Sequence, residues 1–159
     1  MAKLLVLSDT HGQLDNIRQI SHLFDRCDYV FHLGDYYVDM NAFTDLIGDK
    51  LYQVKGNCDF GGEPIFLTID GVKIMAVHGN KYHVKSSLTA LSIKAREENC
   101  QLVLFGHTHY AEVIEYNGVT FVNPGNMTAF SHPTYAIVDV TNGKIQAKIE
   151  SVNKNDEGI

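Results

Sequence analysis

No cluster of lysine or arginine occurs anywhere in this chain of 159 residues, and 13 basic residues against 19 acidic ones leave a formal charge of −6. A surface that grips a long nucleic-acid backbone is therefore not expected, whereas a small phosphorylated ligand is compatible with this balance. Long apolar runs are missing too. The opening MAKLLVLSDTHG has one basic residue and four consecutive apolar ones, the pattern of a buried strand and not of a signal peptide. No segment approaches membrane-spanning length, so no membrane association is expected. Cysteine is scarce: Cys27, Cys58 and Cys100 lie far apart with no C-x-x-C pair, an odd set that fits a reducing cytoplasm. Repeats, low-complexity segments and linkers are absent as well. What remains is the composition of an ordinary globular protein, 45% apolar and 20% charged. Its length fits a single domain over 1–153 closed by a polar tail at 154–159.

The first half alternates short apolar runs with helical patterns. KLLVLS reads as a buried strand, followed by Leu14, Ile17, Ile20, Leu23 and Phe24 at helical spacing. YVFHL is a second strand, Met40, Phe43 and Ile47 mark a short helix, and LYQV is a third strand. A β-α-β-α-β order implies parallel pairing with helices on the sheet faces. The later half changes character. Asp70-Gly71, Asn117-Gly118 and Asn142-Gly143 each separate two strand-like runs, the mark of a two-residue hairpin. Between the hairpins lie a helix expected over 85–98 and a buried strand, LVLF. Parallel units first and hairpins later fit an α/β architecture of two stacked mixed sheets flanked by helices.

Polar residues with ligand chemistry gather at the ends of these strands. Ser8-Asp9-Thr10-His11 closes the first, Gly34-Asp35 the second and Gly56-Asn57 the third. His78-Gly79 closes the IMAV strand, and Gly106-His107-Thr108-His109 closes LVLF. Ligands of open α/β sheets bind at the carboxyl ends of strands, so five segments point to one place. Extended residues i and i+2 project to the same side, which pairs Asp9 with His11 and His107 with His109. Two carboxylates, four imidazoles and one amide oxygen are too many ligands for one tetrahedral zinc. They suit two neighbouring ions with mixed oxygen and nitrogen donors. Singly, each piece has an ordinary reading: Asp9 or Thr10 caps the following helix, and Gly-Asp and Gly-Asn are turn dipeptides. All five together, each directly after a strand-like run, reverse those odds.

With D-x-H, G-D, G-N-[HC]-D, H and G-H-x-H in this order between Asp9 and His109, the sequence resembles the calcineurin-like metallophosphoesterases. The short length, the LSDTHG opening and NPGN near residue 125 resemble their short bacterial and archaeal phosphodiesterase branch. The resemblance implies a four-layer α/β/β/α sandwich, in agreement with the layered architecture above. It also implies a first metal ion held by Asp9, His11 and His109, a second held by Asn57, His78 and His107, and Asp35 bridging both. Manganese is the first expectation among divalent ions, with iron, nickel or zinc as alternatives. Asp35, Asn57, Cys58, Asp59 and His78 are the residues expected to take part in catalysis. Many relatives place a His directly after the ligand Asn, as a general acid or phosphate contact; here that position is Cys58. Asp59 then orients a histidine, with an ordinary turn role as the equal alternative.

Two such ions, at the roughly 3.5–4 Å spacing of two-metal sites, can lower the pKa of a shared water and supply hydroxide to phosphorus, so hydrolysis without a phosphoenzyme is expected. A thiol is a poorer proton donor than imidazolium, so Cys58 favours small phosphodiesters over monoesters. A phosphomonoesterase and a nuclease for short oligonucleotides are the enzymatic alternatives. A non-catalytic scaffold, like the retromer subunit of this fold, is the alternative of another class. Asp39 lies four residues after the bridging position, one more than in protein phosphatases of the wider family. His22 is expected to face solvent, and His32 to pack with a local hydrogen bond. His83 and His132 belong to loops near the mouth of the site, and Tyr36 and Tyr37 stand beside Asp35. Asn126 replaces a Ser expected from relatives. Exposed hairpins offer edges for a homo-oligomer.

Overall fold

The computed structural model describes residues 1–54, 56, 64–128 and 132–152. The polar tail expected at 154–159 therefore lies outside the described residues, as do Asn57, Cys58 and Asp59. The first half folds as β1 (Ala2–Leu7), α1 (Leu14–Ile20), β2 (Tyr29–His32), α2 (Thr44–Ile47) and β3 (Leu51–Gln53). Strand β1 pairs with β2 in parallel, and β2 with β3 likewise. The helical patterns are shorter than their apolar spacing implies. Three-ten turns at Ser21–Arg26 and Tyr37–Phe43 carry Phe24, Met40 and Phe43 into the core where regular helices were expected.

Three hairpins follow from the three Asx-Gly pairs. They join β4 (Ile65–Ile69) to β5 (Val72–Val77), β7 (Glu112–Tyr116) to β8 (Val119–Asn123), and β9 (Thr134–Thr141) to β10 (Lys144–Ser151). Both central residues of each turn have positive φ, as in Asn117 at 53° and Gly118 at 79°. That backbone matches the twist of the flanking strands and selects Asn, Asp and Gly. Helix α3 (Thr89–Glu97) precedes β6 (Leu102–Phe105). It begins later than 85 because the carbonyl of His83, itself left-handed at φ 55°, accepts the amides of Ser86 and Ser87 in a separate turn.

The strands form two five-stranded mixed sheets, β10-β9-β1-β2-β3 and β4-β5-β6-β8-β7. Strand alternation sorts their side chains into layers. Leu4 and Val6 join Ile74, Ala76, Leu102, Leu104 and Val138 in one buried cluster. Leu5 and Leu7 pack with Ile17, Ile20 and Phe24 of the first helical segment, while Met75, Val77, Val103 and Phe105 pack with Leu91 and Ala95 of α3. The result is the four-layer α/β/β/α sandwich expected from the sequence. No helix among the described residues is long and apolar enough to cross a membrane.

Candidate metal centre

The carboxyl ends of β1, β2, β5 and β6 meet, and their following residues turn sharply. Asp9, His11, Asp35, His107 and His109 all have positive φ, between 44° and 72°. Neither Asp9 nor Thr10 caps α1; its N-cap position is Gln13, with no capping side chain. The ends approach closely because glycines leave room. A Cβ on Gly34 would lie 2.6 Å from the Gly56 amide nitrogen and 2.8 Å from His78 Nδ1. One on Gly106 would overlap Ser8 Oγ and lie 3.0 Å from Asp9 Oδ2. The glycines before Asp35 and His107 thus serve close backbone approach.

Two groups of ligand atoms result, Asp9–His11–Asp35–His109 and Asp35–His78–His107, with Asp35 common to both. Asp9 and His78 are fully buried, Asp35 nearly so, and the His11 and His109 side chains are part-exposed at the rim. Asp9 Oδ1 stands 3.2 Å from His109 Nε2 and 3.8 Å from His11 Nε2, and the latter is 3.7 Å from Asp35 Oδ2. In the second group, His78 Nε2 is 3.4 Å from Asp35 Oδ2 and 3.2 Å from His107 Nδ1. These spacings resemble those of about 3–3.5 Å between ligands around an ion with bonds near 2.1 Å.

Buried atoms that lack an aligned hydrogen bond test the fit. Asp9 Oδ1 and His11 Nε2 are buried and make no aligned hydrogen bond among the described residues. Such atoms are costly unless something occupies their lone pairs. The other carboxylate oxygen of Asp9 is tied down, accepting from Ser8 Oγ at 2.5 Å and from the His107 amide at 3.3 Å. His78 Nδ1 lies 2.8 Å from the Leu33 carbonyl, so in the neutral ring Nδ1 carries the proton and Nε2, facing Asp35 and His107, keeps its lone pair. A buried donor set of carboxylate oxygens and imidazole nitrogens converging this way fits divalent ions.

Protonation equilibria show the same convergence. Burial pushes the Asp9 carboxyl up, but His109, His11, His78 and Ser8 together hold it well below the carboxylate range. The Asp9 carboxylate raises His11 against burial, with Asp35 adding to it. For His78 burial acts downward and is outweighed by Asp35 and Asp9. Burial, then the charges of His78 and Lys85, lower His107.

Supporting residues come from segments that carry no ligand. Asn123 is fully buried; its amide nitrogen donates to the Gly106 carbonyl at 3.3 Å and to Thr108 Oγ1 at 2.9 Å, and its Oδ1 accepts from the Gly125 amide at 2.9 Å. Asn126 donates to the His109 carbonyl at 3.4 Å, and the Met127 amide to the Asp9 carbonyl at 3.4 Å. The NPGN segment therefore braces the turn carrying His107 and His109, and the following Met127 ties to the turn carrying Asp9 and His11, roles the sequence alone did not indicate. His32 is buried and hydrogen-bonded to Thr10, and His22 is exposed, both as expected. His83 and His132 are exposed and belong to neither ligand group. The exposed Tyr36 sets its ring 5.2 Å from that of His11.

A family model described as the calcineurin-like phosphoesterase superfamily domain matches residues 2–143. A probable metallophosphoesterase of Mycoplasma pneumoniae is 29% identical over 158 residues, covering 91% of this chain and 94% of that protein. A phosphodiesterase of Methanocaldococcus jannaschii is 26% identical, covering 86% and 92% respectively. Among solved structures, a Streptococcus pneumoniae protein described as a predicted phosphoesterase superposes with a TM-score of 0.74 at 23% identity, over 95% of this chain and 90% of that one. Vacuolar protein sorting 29 of Entamoeba histolytica, in complex with zinc, gives 0.73 at 20% identity, over 95% and 99%.

Proposed function

This chain belongs to the calcineurin-like phosphoesterase superfamily, and on that footing we propose that it is a metal-dependent hydrolase of small phosphodiesters. Asp9, His11 and His109 would hold one divalent ion, His78 and His107 the other, and Asp35 would serve both. Asn57 joins the second set by its place in the sequence, outside the described residues. Manganese is the first choice for a donor set mixing carboxylate and imidazole, ahead of iron, nickel or zinc. Ions bound there supply positive charge to a phosphoryl group and lower the pKa of water. The chain's own residues present their lone pairs to one point, keep Asp9 anionic and hold His78 in the tautomer that offers Nε2. The observation that carries this reading is the pair of buried atoms, Asp9 Oδ1 and His11 Nε2, left without hydrogen bonds among the described residues at the junction of two ligand groups.

The diester preference rests on Cys58, which takes the place of a stronger acid, and on a net charge of −6 that disfavours long nucleic acid. Manganese-loaded protein is expected to hydrolyse a chromogenic diester faster than the matching monoester. In oxygen-18 water one label should enter the phosphoryl product; a trapped phosphoenzyme would overturn the direct displacement. Cys58→His should raise monoester turnover relative to diester turnover, and an unchanged ratio removes that part of the reading. A protein that binds no divalent ion and hydrolyses neither ester would favour the scaffold alternative instead.

A further inference from the structure

The His11 side chain reaches the first ligand group from a turn whose backbone is held from outside. Asp9, His11 and Gly12 have φ of 56°, 44° and 82°, left-handed conformations that non-glycine residues keep only where neighbours enforce them. His11 Nε2 makes no hydrogen bond among the described residues. The two residues flanking His11 do, and both end on one atom. Thr10 Oγ1 donates to Asp39 Oδ2 at 2.6 Å, with the Tyr36 carbonyl a longer second acceptor at 3.2 Å, and the Gly12 amide donates to the same Asp39 oxygen at 2.7 Å.

The direction of the Thr10 hydroxyl is set from behind. The Gly34 amide donates to His32 Nδ1 at 3.1 Å, so the His32 proton lies on Nε2 and points at Thr10 Oγ1, 3.0 Å away. The hydroxyl thus accepts from His32 and has its own proton to give to Asp39. Asp39 sits in the three-ten stretch Tyr37–Phe43, just after Asp35, with its amide bonded to the Tyr36 carbonyl at 2.9 Å. One carboxylate oxygen therefore couples the turn carrying Asp9 and His11 to the turn carrying Asp35. Asp39 belongs to neither group of ligand atoms.

We propose that Asp39 is a positioning residue that clamps Thr10 and Gly12 on either side of His11 and so aims His11 at the first ion. The inference rests on the phosphoesterase reading above. The test compares wild type, Asp39→Ala and Asp39→Asn after circular dichroism has shown each to be folded. Amide exchange at Gly12 is followed in the metal-free protein. Binding is followed with Zn²⁺, a diamagnetic probe, through the ring resonances of His11 and His78, which report the two groups separately. Asp39→Ala should speed exchange at Gly12 and weaken Zn²⁺ at the His11 group by about 10–100-fold, with a smaller change at the His78 group. Asp39→Asn keeps an acceptor oxygen and should recover most of the loss. Should Asp39→Ala fail to fold, Thr10→Val removes one of the two ties and should weaken the His11 group selectively. Unchanged affinity, equal weakening of both groups, or no recovery by Asp39→Asn would overturn the inference while wild type still binds two ions. Wild type that binds no Zn²⁺ would overturn the phosphoesterase reading and this inference together.

Discussion

The two oxygens of Asp9 divide the work of one side chain. Oδ2 is held by Ser8 and the His107 amide, which fixes the plane of the carboxylate and leaves Oδ1 turned towards His11 and His109. Asp9→Asn keeps the shape and removes the negative charge. It should release the ion of the first group and lower phosphoesterase turnover by about 100-fold or more, as read by metal analysis and a diester assay. Cys27 shows the opposite kind of environment. Burial pushes its thiol up to about 11, so it stays protonated through neutral pH and becomes nucleophilic only as pH approaches that value. Alkylation of Cys27, mapped by mass spectrometry on native protein, should stay slow at pH 8 and accelerate above about pH 10. Rapid labelling at pH 8 would contradict the buried placement.

Among the elements, the hairpins and the NPGN segment differ in how far they can be read from sequence. Asp70-Gly71, Asn117-Gly118 and Asn142-Gly143 form their turns through their own backbone preferences, so neighbouring residues suffice to identify them. Asn123 acts on Gly106, Thr108 and Gly125, and two of these partners lie on a strand end that is distant in sequence. Nothing local marks it. Asn123→Ala would leave several buried polar groups short of a partner and should cost about 1–3 kcal/mol in urea unfolding. It should also weaken divalent-ion binding at the groups that include His107 and His109, whereas a surface change such as Asn117→Asp should do neither. Helix lengths do not follow from apolar spacing for a related reason: the spacing records which side chains are buried, and three-ten turns bury Phe24 and Met40 equally well.

At the scale of the molecule, the two sheets bring strand ends from β1, β2, β5 and β6 to one place and leave there a cluster of buried carboxylates and imidazoles that reach from the interior to the rim. Ions that bind the folded state and not the unfolded chain raise stability by mass action, about 2.7 kcal/mol at a hundredfold excess over Kd. The melting temperature should therefore rise with manganese concentration, and a chelator should return it to the metal-free value. A melting temperature indifferent to both would count against a divalent site.

Layering and parallel-then-hairpin order were determined by the sequence itself, because side-chain alternation and Asx-Gly turns act over a few residues. The identity of Asp9, His11, Asp35, His78, His107 and His109 as candidates was likewise legible from residue type and position after strand-like runs. Their division into two groups sharing Asp35 was implied by family resemblance, and the atoms involved emerge only from the fold. Which oxygen of Asp9 is tied, which nitrogen of His78 carries the proton, and what Asp39 and Asn123 hold were decided by tertiary structure alone. Those are contacts between segments tens of residues apart, and a hydrogen bond depends on an ångström of placement that no local pattern encodes.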